Sequence, residues 1–318
     1  MSLLDRIFQE PELKAAPPVL VDVGAAGGVA PIWRSIARYA IGVGFEPDER
    51  DAGKLRGANR AFGRWIHCEG LVAPAVDGTG RRMFHFTRSP HCSSLLKPRH
   101  DLLRDWLFAD FFAVQSTAPV PAVVLSDALQ ARGLDRIDWL KCDTQGQDLS
   151  IFLSLPEAWR RRVLAVEFEP GLIDAYEGED KFWHTLRAME EQPFWISDLQ
   201  VCGTQRGEAE LLRRLLGPRA ERWVRRLAPT APGWVNVRYL RRLPGAGEPS
   251  DRRDLLLAWV FADLLGQHAH ALTVAHDGRE RFGGELFDRM LARSRRRLFW
   301  AMLPGVPGMV WRRLGFGS

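Results

Sequence analysis

The length, composition and charge of the sequence exclude several classes of protein. The chain has 318 residues, of which 46% are hydrophobic and 26% charged, so it can bury a full core and is neither disordered nor fibrous. Its net charge of +5 would suit nucleic acid or a membrane surface, but only five of the 44 basic residues are lysine. Because such an arginine bias often reflects a GC-rich coding sequence, we predict no nucleic-acid partner.

The cysteines and the N-terminal segment are typical of a cytoplasmic protein. Cys68, Cys92, Cys142 and Cys202 lie far apart and include no CxxC pair, which indicates reduced thiols rather than a disulfide framework. The opening segment, MSLLDRIFQEPELKAAPP, contains three acids and no apolar run long enough for a signal peptide. The sequence therefore predicts a cytoplasmic location.

Short apolar segments that end at turn residues recur along the chain, as the strands of a buried parallel sheet do. They are residues 17–24, 40–48, 64–73, 136–143, 162–170, 194–200 and 234–242. Helical spacing of apolar residues is found at 32–40 behind Pro31, at 121–133 and at 181–192. This alternation predicts an α/β domain with a mostly parallel sheet and helices on both faces.

Three further segments complete the predicted organisation. Asp77-Gly78 supplies the positive φ of a tight turn, so residues 77–86 are predicted to form a hairpin turn followed by a strand. Residues 207–229 are basic and helical, and residues 244–250 (PGAGEPS) resemble a linker before a helical region rich in Arg, Leu and Trp. We therefore predict a domain over residues 1–245, with a helical insertion at about 205–229, and a helical C-terminal extension over residues 246–318.

The first predicted strand runs into a cluster of small residues, VDVGAAGG (21–28). In an open parallel sheet, ligands bind beyond the C-terminal ends of the strands, where glycine lets the backbone approach a nucleotide. Glu46 ends the second strand 22 residues after Gly24, where a carboxylate can accept hydrogen bonds from two ribose hydroxyls. A tight connection without a ligand would explain the glycines alone, but the added acid favours a nucleotide site.

The acid before the turn favours one kind of nucleotide. A dinucleotide dehydrogenase usually has GxGxxG with no required acid before it, whereas the pattern here is D-x-G-x-A-x-G. Asp22 can order the loop through backbone N–H groups and favours a ligand that carries positive charge. S-adenosylmethionine, with its sulfonium and ammonium groups, fits this pattern better than a pyrophosphate does.

Five patches, taken together and in order, resemble the FkbM-type S-adenosylmethionine-dependent methyltransferases. They are VDVGAAGG, GFEPD, SPHCSSLLKP, DWLKCDTQGQDL, and VEFEP with AYEGED, all within residues 18–242. The resemblance implies a Rossmann-like, class I methyltransferase sheet of seven strands, S-adenosyl-L-methionine as cofactor, and O-methylation of a hydroxyl on a sugar, glycan or polyketide-like product. The chain departs from the family pattern at Ala26, where glycine or a small polar residue is common, and at Asp148, where glutamate is more usual.

The residues predicted to hold the cofactor lie at the ends of the first, second and fourth of these strands. They are Asp22, Gly24, Ala25, Ala26, Gly28, Glu46, Pro47 and Asp143. The small residues would give the cofactor room, Asp22 would order the loop, and Glu46 would hold the ribose.

Acids at strand ends are the first candidates for catalysis. Methyl transfer to an alcohol is an in-line displacement that is helped by a positioned base. Asp143 is the first choice because it ends a strand at the cleft, and its alternative role is an N-cap of the helix that begins near Leu149. Glu167 is the preferred second acid, and Glu169 belongs either to the site or to an ion pair with arginine.

The loop at residues 87–98 offers another base, His91, together with the hydroxyls of Ser93 and Ser94. A surface turn would explain the same residues. Lys141, two residues before Asp143, can neutralise one of the acids.

A metal site is poorly supported by the sequence. The eight histidines include no HxxxH pair, and His268-Ala-His270 has no carboxylate cluster beside it. Asp143 and Glu167 could together hold Mg²⁺, but transfer without a metal is the preferred interpretation.

The C-terminal region leaves two interpretations open. Ser250 can cap a helix over residues 250–267, whose apolar run at 255–262 predicts burial. Residues 298–311 are uncharged and lie between arginine clusters, but they are too few to span a bilayer. They either pack against the main domain or a partner subunit of a homo-oligomer, or rest, as part of residues 293–318, on the anionic inner face of a membrane.

Other functions remain open at the level of sequence. The basic segment 207–229 would suit an acidic or phosphate-bearing acceptor if it bordered the site, although a solvated helix face is the commoner explanation. An NAD-dependent oxidoreductase on a related sheet would bind NAD(H) and would not respond to S-adenosylhomocysteine. A non-catalytic member of the fold, which binds a partner or a membrane through its basic tail, would show no turnover.

Overall fold

The computed structural model describes residues 1–25, 30–48, 50, 60–243 and 251–302. The chain divides into two compact units, one formed by Pro18–Arg241 and the other by Met1–Pro17 with Arg242–Ser318. The boundary near residue 242 lies close to the predicted one at 245. The first 17 residues, however, which the prediction placed in the sheet domain, group with the C-terminal helices.

The larger unit contains a seven-stranded sheet. Its strands are β1 (Val19–Val23), β2 (Ile41–Phe45), β3 (Arg64–Cys68), β7 (Trp139–Cys142), β8 (Ala165–Phe168), β9 (Phe194–Thr204) and β10 (Ala231–Arg241). Their order across the sheet is β3-β2-β1-β7-β8-β10-β9. Neighbouring strands are parallel except at β10, which is antiparallel to both β8 and β9. Since every strand coincides with a predicted segment, the prediction of an α/β chain with a mostly parallel sheet is confirmed.

A smaller, three-stranded sheet is formed by β4 (Leu71–Val72), β5 (Arg81–Thr87) and β6 (Val114–Val123), in the order β4-β6-β5. The segment predicted as one strand at 64–73 thus divides into β3 and β4, with Gly70 between them at φ +112°. A turn is present before β5, because the Gly80 N–H donates to the carbonyl oxygen of Asp77 at 3.1 Å, but its positive φ of +64° is at Gly80 and not at the predicted Asp77-Gly78. It does not form a hairpin, since β5 pairs with β6 instead of a strand before the turn.

Short helices connect the strands of this unit. They are α3 (His100–Leu103), α4 (Leu125–Gln130), α5 (Asp148–Ser154), α6 (Glu157–Arg160), α7 (Phe182–Glu190) and α8 (Ala209–Leu227). Helices α4, α7 and α8 lie in predicted helical segments, and α8 is broken at Gly217, where φ is +81°. The prediction behind Pro31 is wrong in kind, because Pro31–Trp33 and Ala37–Tyr39 form single 3₁₀ turns. Trp33 and Ile36 are both buried. Residues three apart lie on the same face in a 3₁₀ helix as well as in an α-helix, so this spacing does not distinguish the two.

The apolar strands explain where the core lies. All five residues of β1 are buried, and Trp33 packs edge-to-face on Trp139 of β7 with ring centroids 6.0 Å apart. Within the sheet, β2 lies on one side of β1 and β7 lies on the other side of β1. The carboxyl ends of β1 and β7 therefore form a topological switch point, which is where open α/β sheets bind ligands.

The second unit is helical. It contains α1 (Leu3–Phe8), α2 (Pro11–Ala15), α9 (Arg252–Leu264), α10 (His268–Phe282) and α11 (Glu285–Met302). Helix α9 is buried from Leu255 to Asp263, as its apolar run predicts. The predicted cap Ser250 lies outside the described residues, and Asp251 occupies the N-cap position. Asp263 accepts hydrogen bonds from Arg293 at 2.8 Å, which compensates its burial.

In the portion of the chain that the structure describes, no helix is both long and apolar enough to cross a membrane.

Candidate functional site

The end of β1 requires glycine because of a neighbouring strand. Gly24 has φ +78°, and a Cβ there would lie 1.9 Å from the carbonyl oxygen of Asp143. The N–H groups of Gly24 and Ala25 donate to the carbonyl oxygen of Phe45 at 3.0 and 3.1 Å. The absent side chain of Gly24 thus makes room for backbone at the end of β7, whereas the prediction gave that room to the cofactor. The Ala25 side chain is buried, and the predicted Ala26 and Gly28 lie outside the described residues.

Asp22, two residues before Gly24, is held by a lysine. Its carboxylate is 2% exposed and accepts a hydrogen bond from Lys141 Nζ at 2.8 Å. Burial raises the pKa of Asp22, and the adjacent ammonium opposes that shift. Burial by itself would lower the pKa of Lys141, but the negative charge of Asp22 holds it above its usual range. Among the described residues, Asp22 is therefore paired with Lys141, and residues 26–29 of the loop that it was predicted to order lie outside the described part of the chain.

This ion pair belongs to a row of charges that crosses five strands. The strand register places Asp22, Lys141, Glu167, Arg238 and Asp198 side by side, with alternating sign. Arg238 donates to Glu167 at 2.7 Å and to Asp198 at 2.9 Å. Glu167, predicted to be catalytic, is thus in an ion pair with arginine, and it is absent from the described lining of the cavities at the strand ends.

A narrow cavity of about 50 Å³ lies at the carboxyl ends of β1 and β2. Its lining consists of Val23, Gly24, Phe45, Glu46, Pro47, Leu71, Val72, Phe84, Pro90, His91, Ser93, Asp143, Thr144 and Gln145. Glu46 directly follows β2, as predicted, and its Oε1 accepts the N–H of Asp48 at 2.8 Å. Small-molecule pockets usually measure about 300–1,000 Å³. The walls of this cavity must therefore separate to admit a nucleoside.

Loops from two parts of the chain close this end of the sheet. Asp48 is buried, and its carboxylate accepts hydrogen bonds from Arg50 at 2.5 to 3.1 Å. Burial would raise the pKa of Asp48, but the bonds from Arg50 hold it below its usual value. Arg50 also donates to the carbonyl oxygen of Thr87, and Ser93 Oγ accepts the Thr87 N–H at 3.1 Å. The loop after β2 is thereby joined to the predicted 87–98 loop.

A second cavity of about 500 Å³ opens beside the first, toward β8 and β10. Its lining consists of Ser89, His91, Cys92, Phe108, Phe111, Phe112, Asp143, Gln145, Gly146, Glu169, Gly171, Ile173, Ala175, Tyr176, Glu179, Gly203, Thr204, Gly233 and Trp234. Its volume lies within the usual range for small-molecule sites.

The two cavities meet at His91, Asp143 and Gln145, which line both. Asp143 directly follows β7, and its Oδ1 accepts a hydrogen bond from Gln145 Nε2 at 2.8 Å. The Tyr176 hydroxyl donates to Gln145 Oε1 at 3.2 Å and to the carbonyl oxygen of Cys92 at 2.8 Å. Two of the predicted candidate bases, Asp143 and His91, are therefore brought to one point.

Sequence reasoning missed Gln145 and Tyr176. Gln145 has φ +58°, and no other non-glycine residue in the described chain has a positive φ. Such strain is concentrated at functional sites. The Ser94 hydroxyl supports this conformation by donating to the Gln145 carbonyl oxygen at 2.9 Å. The available signal for Gln145 in the sequence was its position between a strand end and Gly146. That position could not show the contact with Tyr176, which depends on the fold.

Glu169 is the second acid at the meeting point. It lines the larger cavity and forms a side-chain hydrogen bond with Asp143. Burial, followed by the negative charge of Asp143, raises the pKa of Glu169 well above its usual range. Glu169 therefore holds its proton to a higher pH than an ordinary glutamate does, and its carboxyl group is hydrogen-bonded to that of Asp143. Of the two acids left open by sequence, Glu169 reaches the cavity and Glu167 forms the ion pair.

Asp148 fixes the geometry of this pair. Its carboxylate accepts the Thr144 N–H at 2.8 Å, the Thr144 hydroxyl at 2.6 Å and the Glu169 N–H at 2.8 Å. Burial, with the charge of Asp143 as the next cause, raises the pKa of Asp148 to about 7. Asp148 thus ties the loop after β7 to the end of β8. The N-cap position of α5 belongs to Gln147, so Asp143 does not have the capping role that was its alternative.

The structure contains no candidate metal centre in the residues that it describes, since no three His, Cys, Asp or Glu side chains there form a metal-binding group. The four cysteines form no disulfide.

Comparisons with known proteins do not identify a family. No protein-family model matches the sequence, and no curated protein matches it. The chain is similar to a solved structure of an uncharacterized protein from Listeria monocytogenes serotype 4b, with 8% identity and a TM-score of 0.33, over 94% of this chain and 99% of that chain.

Proposed function

We propose that this chain is an S-adenosylmethionine-dependent O-methyltransferase of the FkbM type, with a class I methyltransferase fold. The observation that carries the proposal is the meeting of two cavities at Asp143, His91 and Gln145, at the switch point of the sheet. One cavity lies beside the strand-end acid Glu46, and the other is large enough for an acceptor. A group-transfer enzyme needs this arrangement, because donor and acceptor must reach one point from separate sites.

The residues of the narrow cavity fit an adenosyl donor. Glu46 is a strand-end carboxylate that can accept hydrogen bonds from ribose hydroxyls, and Pro47 and Phe45 supply apolar surface for the base. Because Lys141 neutralises Asp22, the negative charge nearest to the meeting point is that of Asp143. Asp143 can therefore stabilise a positively charged ligand group placed between the two cavities.

Catalysis then depends on positioning and on the removal of one proton. When bound, S-adenosylmethionine supplies an electrophilic methyl group on a sulfonium. Asp143 would accept the proton of the acceptor hydroxyl, the hydroxyl oxygen would take the methyl group, and S-adenosylhomocysteine would be the leaving product. Gln145 holds the Asp143 carboxylate at 2.8 Å, and Tyr176 fixes the Gln145 amide. His91 is the alternative proton acceptor because it faces both cavities.

Calorimetry with S-adenosylmethionine, S-adenosylhomocysteine and NAD tests the proposal. We expect the wild-type protein to bind both adenosyl ligands and to bind NAD at least tenfold more weakly. Glu46→Ala should lower the affinity for S-adenosylhomocysteine at least tenfold, since two hydrogen bonds to a charged acceptor are lost. Tight binding of NAD without binding of S-adenosylhomocysteine would overturn the proposal in favour of an oxidoreductase.

Glu69→Ala is the matched control. Glu69 directly follows β3 as Glu46 follows β2, but it is exposed and is not among the described lining residues of either cavity. We expect its affinity for S-adenosylhomocysteine to equal that of the wild type. Equal affinity of the wild type and Glu46→Ala would overturn the ribose assignment.

A further inference from the structure

The larger cavity has an aromatic wall. Five rings line it, those of Phe108, Phe111, Phe112, Tyr176 and Trp234. Phe108 contacts Phe112 with ring centroids 5.0 Å apart and Trp234 at 6.1 Å, and Phe112 contacts Tyr176 at 5.5 Å. These four rings form a continuous surface, with Phe111 beside them. Such a surface binds a flat ring better than it binds a flexible chain.

The charges in this cavity are of one sign. Its described lining includes the acids Asp143, Glu169 and Glu179 but no lysine or arginine. Glu179 is compensated by Lys181, whose Nζ lies 2.8 Å from Glu179 Oε1. No lysine or arginine of the described lining lies beside Asp143 and Glu169, and the Gln145 side chain that bonds Asp143 is neutral. An anion in the cavity would therefore be repelled without compensation.

The arginines of α8 do not change this conclusion. The sequence suggested that a basic helix beside the site would suit an acidic or phosphate-bearing acceptor. No residue of Ala209–Leu227 belongs to the described lining of the cavity. Arg225, which donates to the Leu107 carbonyl oxygen, is paired with the buried Glu221 at 2.5 Å.

We propose that the larger cavity selects an acceptor with a flat ring and no negative charge, and that it rejects phosphate-bearing and carboxylate-bearing acceptors. The description of this ligand as an acceptor rests on the proposed methyl transfer. The selectivity itself follows from the aromatic wall and the acids beneath it.

Three indole compounds that differ in charge test the selectivity. Tryptophol is neutral, tryptamine is cationic and indole-3-acetate is anionic at pH 7, while their rings are the same. With calorimetry at pH 7, we expect tryptophol and tryptamine to bind at least tenfold more tightly than indole-3-acetate. Equal or tighter binding of indole-3-acetate would overturn the inference, and so would the absence of binding by all three compounds.

Two variants test the structural basis. Phe111→Ala removes a lining ring that is 48% exposed, and it should lower the affinity for tryptophol at least fivefold. Its control, Trp183→Ala, removes a ring that is 51% exposed and lies outside the described lining, and it should leave the affinity unchanged. Asp143→Asn should bring the affinities of tryptophol and indole-3-acetate to within about threefold of each other. An unchanged preference in Asp143→Asn would overturn the electrostatic argument.

Binding of S-adenosylhomocysteine, measured in the same experiment, separates this inference from the proposed function. If that ligand does not bind while the indole preference holds, methyl transfer fails and the cavity selectivity stands. If it binds while indole-3-acetate is preferred, only the acceptor inference fails.

Discussion

Gly24→Ala is the substitution whose cost follows most directly from the geometry of the site. At φ +78° an alanine is disfavoured by about 1–2 kcal/mol. Its Cβ would also lie 1.9 Å from the Asp143 carbonyl oxygen, so the ends of β1 and β7 must move apart by more than an ordinary packing adjustment. Overpacking of this kind costs about 1–3 kcal/mol, and a backbone oxygen cannot rotate away as a side chain can. We expect a loss of about 2–5 kcal/mol in the free energy of unfolding, or roughly 10 °C in Tm.

Gly133→Ala separates the two parts of this cost. Gly133 has φ +74°, and a Cβ there would meet no atom within 4 Å. It should therefore lose only the conformational part, about 1–2 kcal/mol. Urea unfolding followed by tryptophan fluorescence measures both variants against the wild type. Equal losses in the two would refute the close approach of β1 to the end of β7.

Three further predictions concern the buried charges and the C-terminal region. Lys141→Met leaves the Asp22 carboxylate buried and without Lys141, and it should cost about 3–5 kcal/mol of unfolding free energy. Adding Asp22→Asn should restore most of this stability, and no recovery would contradict the ion pair. Because the pKa of Asp148 is raised from 3.8 to about 7, the folded protein keeps a proton that the unfolded chain releases, so stability should fall by about 4 kcal/mol as the pH rises from about 4 to about 7. Asp148→Asn should flatten this part of the pH profile in urea unfolding, and parallel profiles would refute the assignment. Helix α11 exposes Phe299 and Trp300. The membrane hypothesis therefore predicts that removal of residues 293–318 abolishes co-sedimentation with anionic liposomes, and unchanged co-sedimentation would exclude that hypothesis.

The strands of the main sheet were predictable because each is an apolar run that ends at a turn residue. Strand β6 was not, because its sequence, VQSTAPVPAV, has a polar stretch at residues 115–117 and contains Pro119 and Pro121. Both prolines pair with β5, whereas β4 pairs with Ala122 and Val123. At both prolines β6 therefore has a neighbouring strand on one side only. A missing N–H group on the other side removes no hydrogen bond between strands. Local sequence argued against a strand that the tertiary pairing permits.

The acids of the site show which step of the inference depends on the fold. Alternation predicts that Glu167 and Glu169 project to the same side of their strand. It does not say which of them lies beyond the sheet, because that depends on where β8 ends. Strand β8 ends at Phe168, so Glu167 remains inside the ladder beside Lys141, and Glu169 is the first residue past the edge.

The same register explains the first glycine of the cluster. Since Asp22 is paired with Lys141 across β1 and β7, the residues two positions further along, Gly24 and Asp143, also become neighbours. The backbone of Asp143 then occupies the space in which a side chain of residue 24 would lie. A glycine at this position is therefore required by the approach of two strands, and it would be required whether or not a nucleotide binds. Glu46 is accordingly the residue that supports a donor site, because the packing of β1 against β7 does not require a carboxylate at the end of β2.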